Sequence, residues 1–304
     1  MILALEPLKF EWTIMEWFYK IGSPFLNFIN WFISDIGSMV IPLLVIAVIY
    51  WSVDKKKGEE LAFATFLGIT VNNIFKTLFL AKRPFQYEGK EYLKKIDTDS
   101  ATGTSFPSGH SQNAGTFYTS FLLNFKKYYV IIICILMMII VPISRLYLGV
   151  HFPRDVVVGL ALGIIVAFLS YFLYSKFYKN RLSINIVILC ITMPFLFVKN
   201  ADVDFFKGFG LLAGFIIGTS LEKEEENYSF SFKIKLLRVL IGLLIVGATY
   251  ILLSLINHAS FIQGNNILSR ISYTLTYGVI GLTIIHLVPL ILRKIFERKE
   301  EKHE

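Results

Sequence analysis

An all-α, polytopic bundle of about nine transmembrane helices, led by an amphipathic helical segment in the membrane interface, is the predicted fold. Three observations predict it. The 304 residues are 55% hydrophobic and only 17% charged, where soluble domains carry about a quarter charged residues. Apolar stretches recur along most of the chain at the length of about 17–25 residues that spans roughly 30 Å of hydrocarbon. Lysine and arginine gather in alternate connections between those stretches, as cytoplasmic loops require.

The start, MILALEPLKFEW, has no basic region ahead of its apolar residues, so no cleavable signal is expected. Residues 6–35 intersperse Trp12, Trp17, Phe18, Phe25, Phe28, Trp31 and Phe32 with polar positions. That pattern suits helices lying in the interface, over 1–36, better than a first span. Spans are expected at 37–53, 58–80, 108–124, 128–146, 154–175, 183–199, 205–221, 235–256 and 271–292, the third, sixth and seventh being short. The reading gives a membrane core at 37–180 and a further set of spans at 181–304.

With the loop at 54–57 inside, the inner connections hold Lys55, Lys56, Lys57, Lys126, Lys127, Lys176, Lys179, Arg181, Lys223, Lys233, Lys235, Arg238 and the basic tail. This orientation places the carboxyl terminus in the cytoplasm and the loops at 81–107, 145–153 and 257–270 outside, for a multi-pass protein of the cell membrane. The net charge of +8 follows from those loops, and no basic module for nucleic acid is visible. Cys134 and Cys190 lie in apolar runs without metal-ligand spacing and read as packing residues. The run EKEEEN at 222–227 reads as a solvated loop. No internal repeat is evident.

Charge at a span end needs a reason, and three clusters supply it on one face. Lys76 and Arg83-Pro84 end the second span; Pro107-Ser108-Gly109-His110 opens the third; Ser144-Arg145, His151 and Asp155 bridge the fourth and fifth. An even number of crossings separates the second cluster from the third, so the topology returns them to a common level. Phosphoryl transfer demands cations around the equatorial oxygens, which Lys76, Arg83 and Arg145 can supply, the arginines bidentately. Ser108 and Gly109 open a helix whose free N–H groups favour an anion. His151 and Asp155 stand four apart, so in helical geometry they share a face. A carboxylate on one ring nitrogen leaves the other free to attack and stabilises the cation formed. His110, beside the turn, can protonate the leaving alkoxide and then activate water.

The patterns K-x6-R-P at 76–84, P-S-G-H at 107–110 and S-R-x5-H-x3-D at 144–155 resemble the three-part signature of the type-2 phosphatidic acid phosphatase family. That family also includes vanadium haloperoxidases and soluble bacterial acid phosphatases. Eleven specified positions match in order, over about residues 37–175. The resemblance implies that Lys76, Arg83, Ser108, Gly109 and Arg145 hold the phosphate. It implies that His151 becomes phosphohistidine, His110 is acid then base, and Asp155 orients His151. It also implies a metal-independent enzyme without cofactor, and no Asp/Glu/His cluster here has ligand spacing. The expected substrate is a phosphorylated lipid in the bilayer: phosphatidic acid, phosphatidylglycerol phosphate or an isoprenyl pyrophosphate.

Other residues read more plainly. His258, His286 and His303 are expected to be ordinary polar anchors, and Lys82 an interfacial snorkeller. Lys90, Lys94 and Lys95 read as solvating their loop rather than drawing in a head group. Tyr147 and Phe152 flank the third cluster and are candidates for a lipid entrance, and Asp202 and Asp204 read as loop residues. Two other functions compete. A phosphotransferase would use the same intermediate with a lipid or sugar hydroxyl in place of water. A transporter would spread charge along several spans at mid-depth, whereas these interiors are nearly uncharged. The role of 181–304 and the oligomeric state are not specified by any motif.

Overall fold

The computed structural model describes residues 6–94, 103–199, 201–222, 230–258, 262 and 264–300, with side chains to 296. Lys95, His303, Lys302 and residues 223–227 lie outside the described residues. Among the described residues there are helices and no strand. In chain order they are α1 (Lys9–Lys20), α2 (Pro24–Ile36), α3 (Val40–Ser52), α4 (Lys55–Leu78), α5 (Gly109–Asn124), α6 (Tyr128–Tyr147), α7 (Pro153–Phe177), α8 (Arg181–Thr192), α9 (Val203–Leu221), α10 (Phe232–Asn257), α11 (Asn266–Leu282) and α12 (Val288–Glu300).

Among the described residues seven helical runs are long and apolar enough to cross a membrane, two fewer than the expected spans. The difference has two sources. The run Pro153–Phe197 takes in two expected spans, and α5, at 16 residues, falls short of a crossing on length. The first run starts at Pro24 and continues to Ser52, earlier than the expected start at 37. Ser23 accepts from Leu26 N at 3.2 Å and Pro24 occupies the first turn, so α2 begins at a well-made cap. Leu244, Ile251, Leu252 and Leu255 of α10 are exposed. Such a surface has no stable partner in water and suits lipid.

The chain divides into two compact units, Met1–Pro42 with Leu67–Phe172, and Leu43–Phe66 with Leu173–Glu304. In the first, α5 packs on α7 at backbone distance. A Cβ at Gly159 would stand 2.6 Å from the Ser108 carbonyl and one at Gly115 2.6 Å from that of Leu160, while one at Gly163 would overlap the Gln112 carbonyl. Small residues allow this approach where lipid leaves packing as the main attraction. Amides tie α5 to α4: Asn72 Nδ2 donates to Gln112 Oε1 at 2.8 Å, and Gln112 Nε2 to the Gly68 carbonyl at 2.7 Å.

A paired substitution tests this packing. Gly163→Ala is expected to lose about 1–3 kcal/mol by overpacking. Gly247→Ala, on a helix where nothing lies within 4 Å, is expected to be neutral or to gain up to about 1 kcal/mol of helix propensity. Thermal unfolding in detergent reads both.

α1 packs through one side on other segments of its own unit. Met15 packs with Leu93 and Phe152, and Trp12 meets Phe152 and Tyr87 edge-on at 5.0 and 5.2 Å. Phe152 is therefore buried in a core. Tyr147 is buried as well, its hydroxyl donating to Asn27 Oδ1 at 2.8 Å. Neither lines an entrance, because the amino-terminal helices cover both. Lys90 pairs with Glu16 at 2.7 Å and Lys94 lies 5.2 Å over the Phe85 ring, so these cations are engaged locally. Lys82 lies 5.8 Å over Tyr87.

In the second unit, α9 carries Gly210, Gly214 and Gly218, and Cβ atoms there would collide with Thr274, Gly278 and Ile285. A π-turn at Thr283–Leu287 interrupts the helix between α11 and α12. The Tyr50 hydroxyl donates to the Ile285 carbonyl at 3.0 Å and Trp51 Nε1 to that of Ile284 at 2.9 Å, which satisfies carbonyls such a turn releases. Glu222 is buried rather than solvated: it accepts from Lys55 at 2.7 Å and Arg293 at 2.8 Å, and lies 2.7 Å from His286 Nδ1. A burial that raises its pKa is outweighed by the bonds from Arg293 and Lys55, and the carboxyl sits below its usual value. Lys55 and His286 are thereby structural partners, not a loop cation and a simple anchor. Asp202 caps α9, accepting from Val203 N at 2.7 Å, with Asp204 in its first turn. Cys134 is buried, whereas Cys190 is exposed and does not pack inside the chain. His258, at the end of α10, bonds the Ser254 carbonyl at 2.7 Å.

Candidate active site

The second and third clusters are joined by the backbone. Ser108 N donates to the Asp155 carbonyl at 2.9 Å, a contact that the glycine-lined approach of α5 and α7 permits. Ser108 caps α5, its hydroxyl accepting from Ser111 N at 3.4 Å and Ser111 Oγ at 3.0 Å. Gly109 and His110 follow, both partly exposed. Arg83 brings in the first cluster. Its NH1 donates to the Val150 carbonyl at 3.0 Å and lies 3.3 Å from His151 Nε2, and its Nε donates to the Gly103 carbonyl at 3.3 Å. The carbonyl of Lys76 accepts from Thr104 Oγ1 at 3.4 Å, at the end of α4.

The hairpin before α7 aims His151. Gly149 has φ +75°, and a Cβ there would overlap the Leu93 carbonyl, so two independent constraints demand glycine. His151 is 2% exposed. Burial first, then the charges of Arg83, Arg145, Lys76 and His110, hold its pKa well below the usual imidazole value. Burial also lowers Arg83 to about 10, with Asp155 opposing, and the guanidinium stays cationic at neutral pH.

A guanidinium only donates. The Arg83 contact therefore fixes His151 Nε2 as the lone-pair nitrogen and puts the neutral ring's proton on Nδ1. Nδ1 faces Asp155 Oδ2 at 3.6 Å. That is charge-pair range and too long for a hydrogen bond. Asp155 Oδ2 accepts instead from Phe152 N at 2.9 Å and from Ser105 Oγ at 2.5 Å.

Arg145 is fully buried on α6. Its NH1 bonds Ser34 Oγ on α2, and its Nε and NH2 have no hydrogen-bond partner among the described residues. Ser144 bonds the Val141 carbonyl at 2.6 Å. The amino-terminal helices reach the site a second time through fully buried Glu11, which accepts from Arg154 N at 3.2 Å in the first turn of α7. Motif spacing misses Ser34, Glu11 and Ser105. Each is a single polar residue, and only the fold reveals its partner.

The depressed His151 pKa has a stability consequence. The folded ring stays neutral while the unfolded chain takes up a proton below about pH 6.5. The unfolded state then binds more protons, so stability falls as pH drops from about 6.5 toward the folded pKa, by at most about 1.4 kcal/mol per pH unit. Unfolding midpoints between pH 7 and 5 should fall less steeply in His151→Gln than in the wild type.

A helical protein with seven runs, among the described residues, long and apolar enough to cross a bilayer belongs to the class of integral membrane proteins. Residues 59–181 match the PAP2 superfamily, and residues 206–300 match the PAP2 superfamily phosphatase transmembrane extension. An undecaprenyl-diphosphatase of Sulfolobus acidocaldarius is 31% identical over 147 residues, 48% of this chain and 69% of that one. Phosphatidylglycerophosphatase B of Bacillus subtilis is 33% identical over 168 residues, 49% and 75% of the two chains. The crystal structure of Aquifex aeolicus LpxE aligns over 55% of this chain and 98% of that one, with a TM-score of 0.47 and 28% identity. On the sequence matches, the chain belongs to the PAP2 superfamily.

Proposed function

We propose that this protein is a membrane lipid phosphatase that hydrolyses a phosphate monoester or pyrophosphate through a phosphohistidine on His151. One observation carries the reading of the site: Arg145, wholly buried at the end of the helix that leads into His151, keeps two nitrogens with no hydrogen-bond partner among the described residues. Buried donors of this kind call for an anion. Arg145, Arg83, Lys76 and the Ser108-Gly109 turn bind the phosphoryl oxygens. As Arg83 turns its N–H to a phosphate oxygen, the Nε2 lone pair is released. Nε2 attacks phosphorus, the phosphorus–oxygen bond to the lipid breaks, and His110 gives the leaving oxygen a proton. His110 next takes a proton from water, the hydroxide attacks phosphorus, and the phosphorus–nitrogen bond breaks to return neutral His151 and inorganic phosphate.

Residues 37–180 are the proposed catalytic core and 181–304 an extension, with the site facing outside and the carboxyl terminus in the cytoplasm. The names of the relatives support two substrate types, an isoprenyl pyrophosphate and phosphatidylglycerol phosphate, to which phosphatidic acid is added on chemistry. The test is phosphate release by the purified full chain from each of the three lipids in detergent, with and without a lipid hydroxyl acceptor. Free phosphate without acceptor supports hydrolysis. A phosphorylated acceptor in place of free phosphate would make the protein a transferase, and no turnover of any lipid would overturn the reading.

A further inference from the structure

The geometry points to Ser105 as a positioning residue whose hydroxyl completes the link between Asp155 and His151, an inference that rests on the function proposed above. The carboxylate and the ring do not reach each other: 3.6 Å separates Asp155 Oδ2 from His151 Nδ1. Ser105 Oγ flanks both, 2.5 Å from Oδ2 and 3.4 Å from Nδ1, and the residue is completely buried. Its backbone is held in place by the bond from Ser105 N to the Ala81 carbonyl at 2.8 Å.

The direction of each bond follows from the donors. An ionised carboxylate only accepts, so the single hydroxyl proton of Ser105 is committed to Asp155. The lone pairs of Oγ are then the hydrogen-bonding face presented to Nδ1. Arg83 donating at Nε2 fixes the ring proton on Nδ1, so Nδ1–H donates to Oγ and the chain of donors runs ring, hydroxyl, carboxylate. When Nε2 attacks phosphorus, positive charge develops on the ring. The Nδ1–H bond then strengthens against an oxygen already polarised by the carboxylate. No bond to Ser105 forms or breaks, and no proton leaves it. Asp155 acts on the nucleophile through the serine.

The test compares wild type, Ser105→Ala, the near-isosteric Ser105→Cys, Asp155→Asn and the Ser105→Ala/Asp155→Asn double variant as full chains in detergent, with phosphatidic acid, phosphatidylglycerol phosphate and an isoprenyl pyrophosphate as substrates. The expected result is a drop in kcat of about 10–100-fold for both serine variants, with KM within about twofold and the unfolding midpoint unchanged. Because both residues act along one line, adding Ser105→Ala to Asp155→Asn should cost less than about threefold more. Wild-type kcat in Ser105→Ala and Ser105→Cys, or losses that multiply in the double variant, would overturn the inference alone. A wild type inert on all three lipids would overturn the functional reading and the inference with it.

Discussion

Replacing His151 with glutamine is expected to lower phosphate release on the order of 10⁴-fold or more, as loss of a nucleophile does in other covalent mechanisms. Glutamine keeps a polar group beside Arg83 but has no lone-pair nitrogen able to attack phosphorus, so no acid-labile phosphoenzyme should form. His110→Gln is the informative contrast. It slows both steps, yet the intermediate can still form, and the water step then lacks its base. Brief reaction with a lipid labelled in its phosphate and an acid quench should therefore leave label on His110→Gln and none on His151→Gln. Label retained by His151→Gln would move the nucleophile elsewhere.

Arg145→Met is expected to reduce kcat/KM by about 10³-fold or more, the scale of a lost arginine at a phosphoryl group, while raising thermal stability. The sign follows from the surroundings. Arg145 is buried, and two of its nitrogens have no hydrogen-bond partner among the described residues. Exchanging such a charge for an apolar side chain of similar length should stabilise the empty protein by about 1–3 kcal/mol. Inorganic phosphate should raise the unfolding midpoint of the wild type by mass action and leave Arg145→Met unmoved. A variant both inactive and less stable, with phosphate still protective, would mean that Arg145 serves the fold and not the anion.

The parts of this protein that sequence made legible are those where the environment or the chemistry permits few residues. Hydrocarbon thickness dictates long apolar runs, so α4, α6 and α10 were visible as spans. α5 shows the limit: a span is expected at 108–124, yet Gly109, Ser111, Gln112, Asn113 and Gly115 dilute the apolar signal and the helix is only 16 residues long. Arg83, Ser108, His151 and Asp155 stood out because fixed spacings joined unusual residue types, and the structure gathers those four. What spacing cannot carry is a partner far away in sequence. Ser34 meets Arg145 across 111 positions and Glu11 meets Arg154 across 143, and nothing local marks either. Glu222 misled for the same reason. An acidic run reads as solvated, yet its first member is held by Lys55 and Arg293, which lie in other segments.

The bond between Ser108 N and the Asp155 carbonyl uses no side-chain atom, and the same is true of the Gly149 bend against Leu93. Much of the alignment between the Ser108 turn and His151 is thus written in main chain, and it survives any exchange that keeps Gly149 and Gly159 as glycine. Sequence drift can then rework the lipid-facing surfaces freely, since side chains there do not hold this alignment.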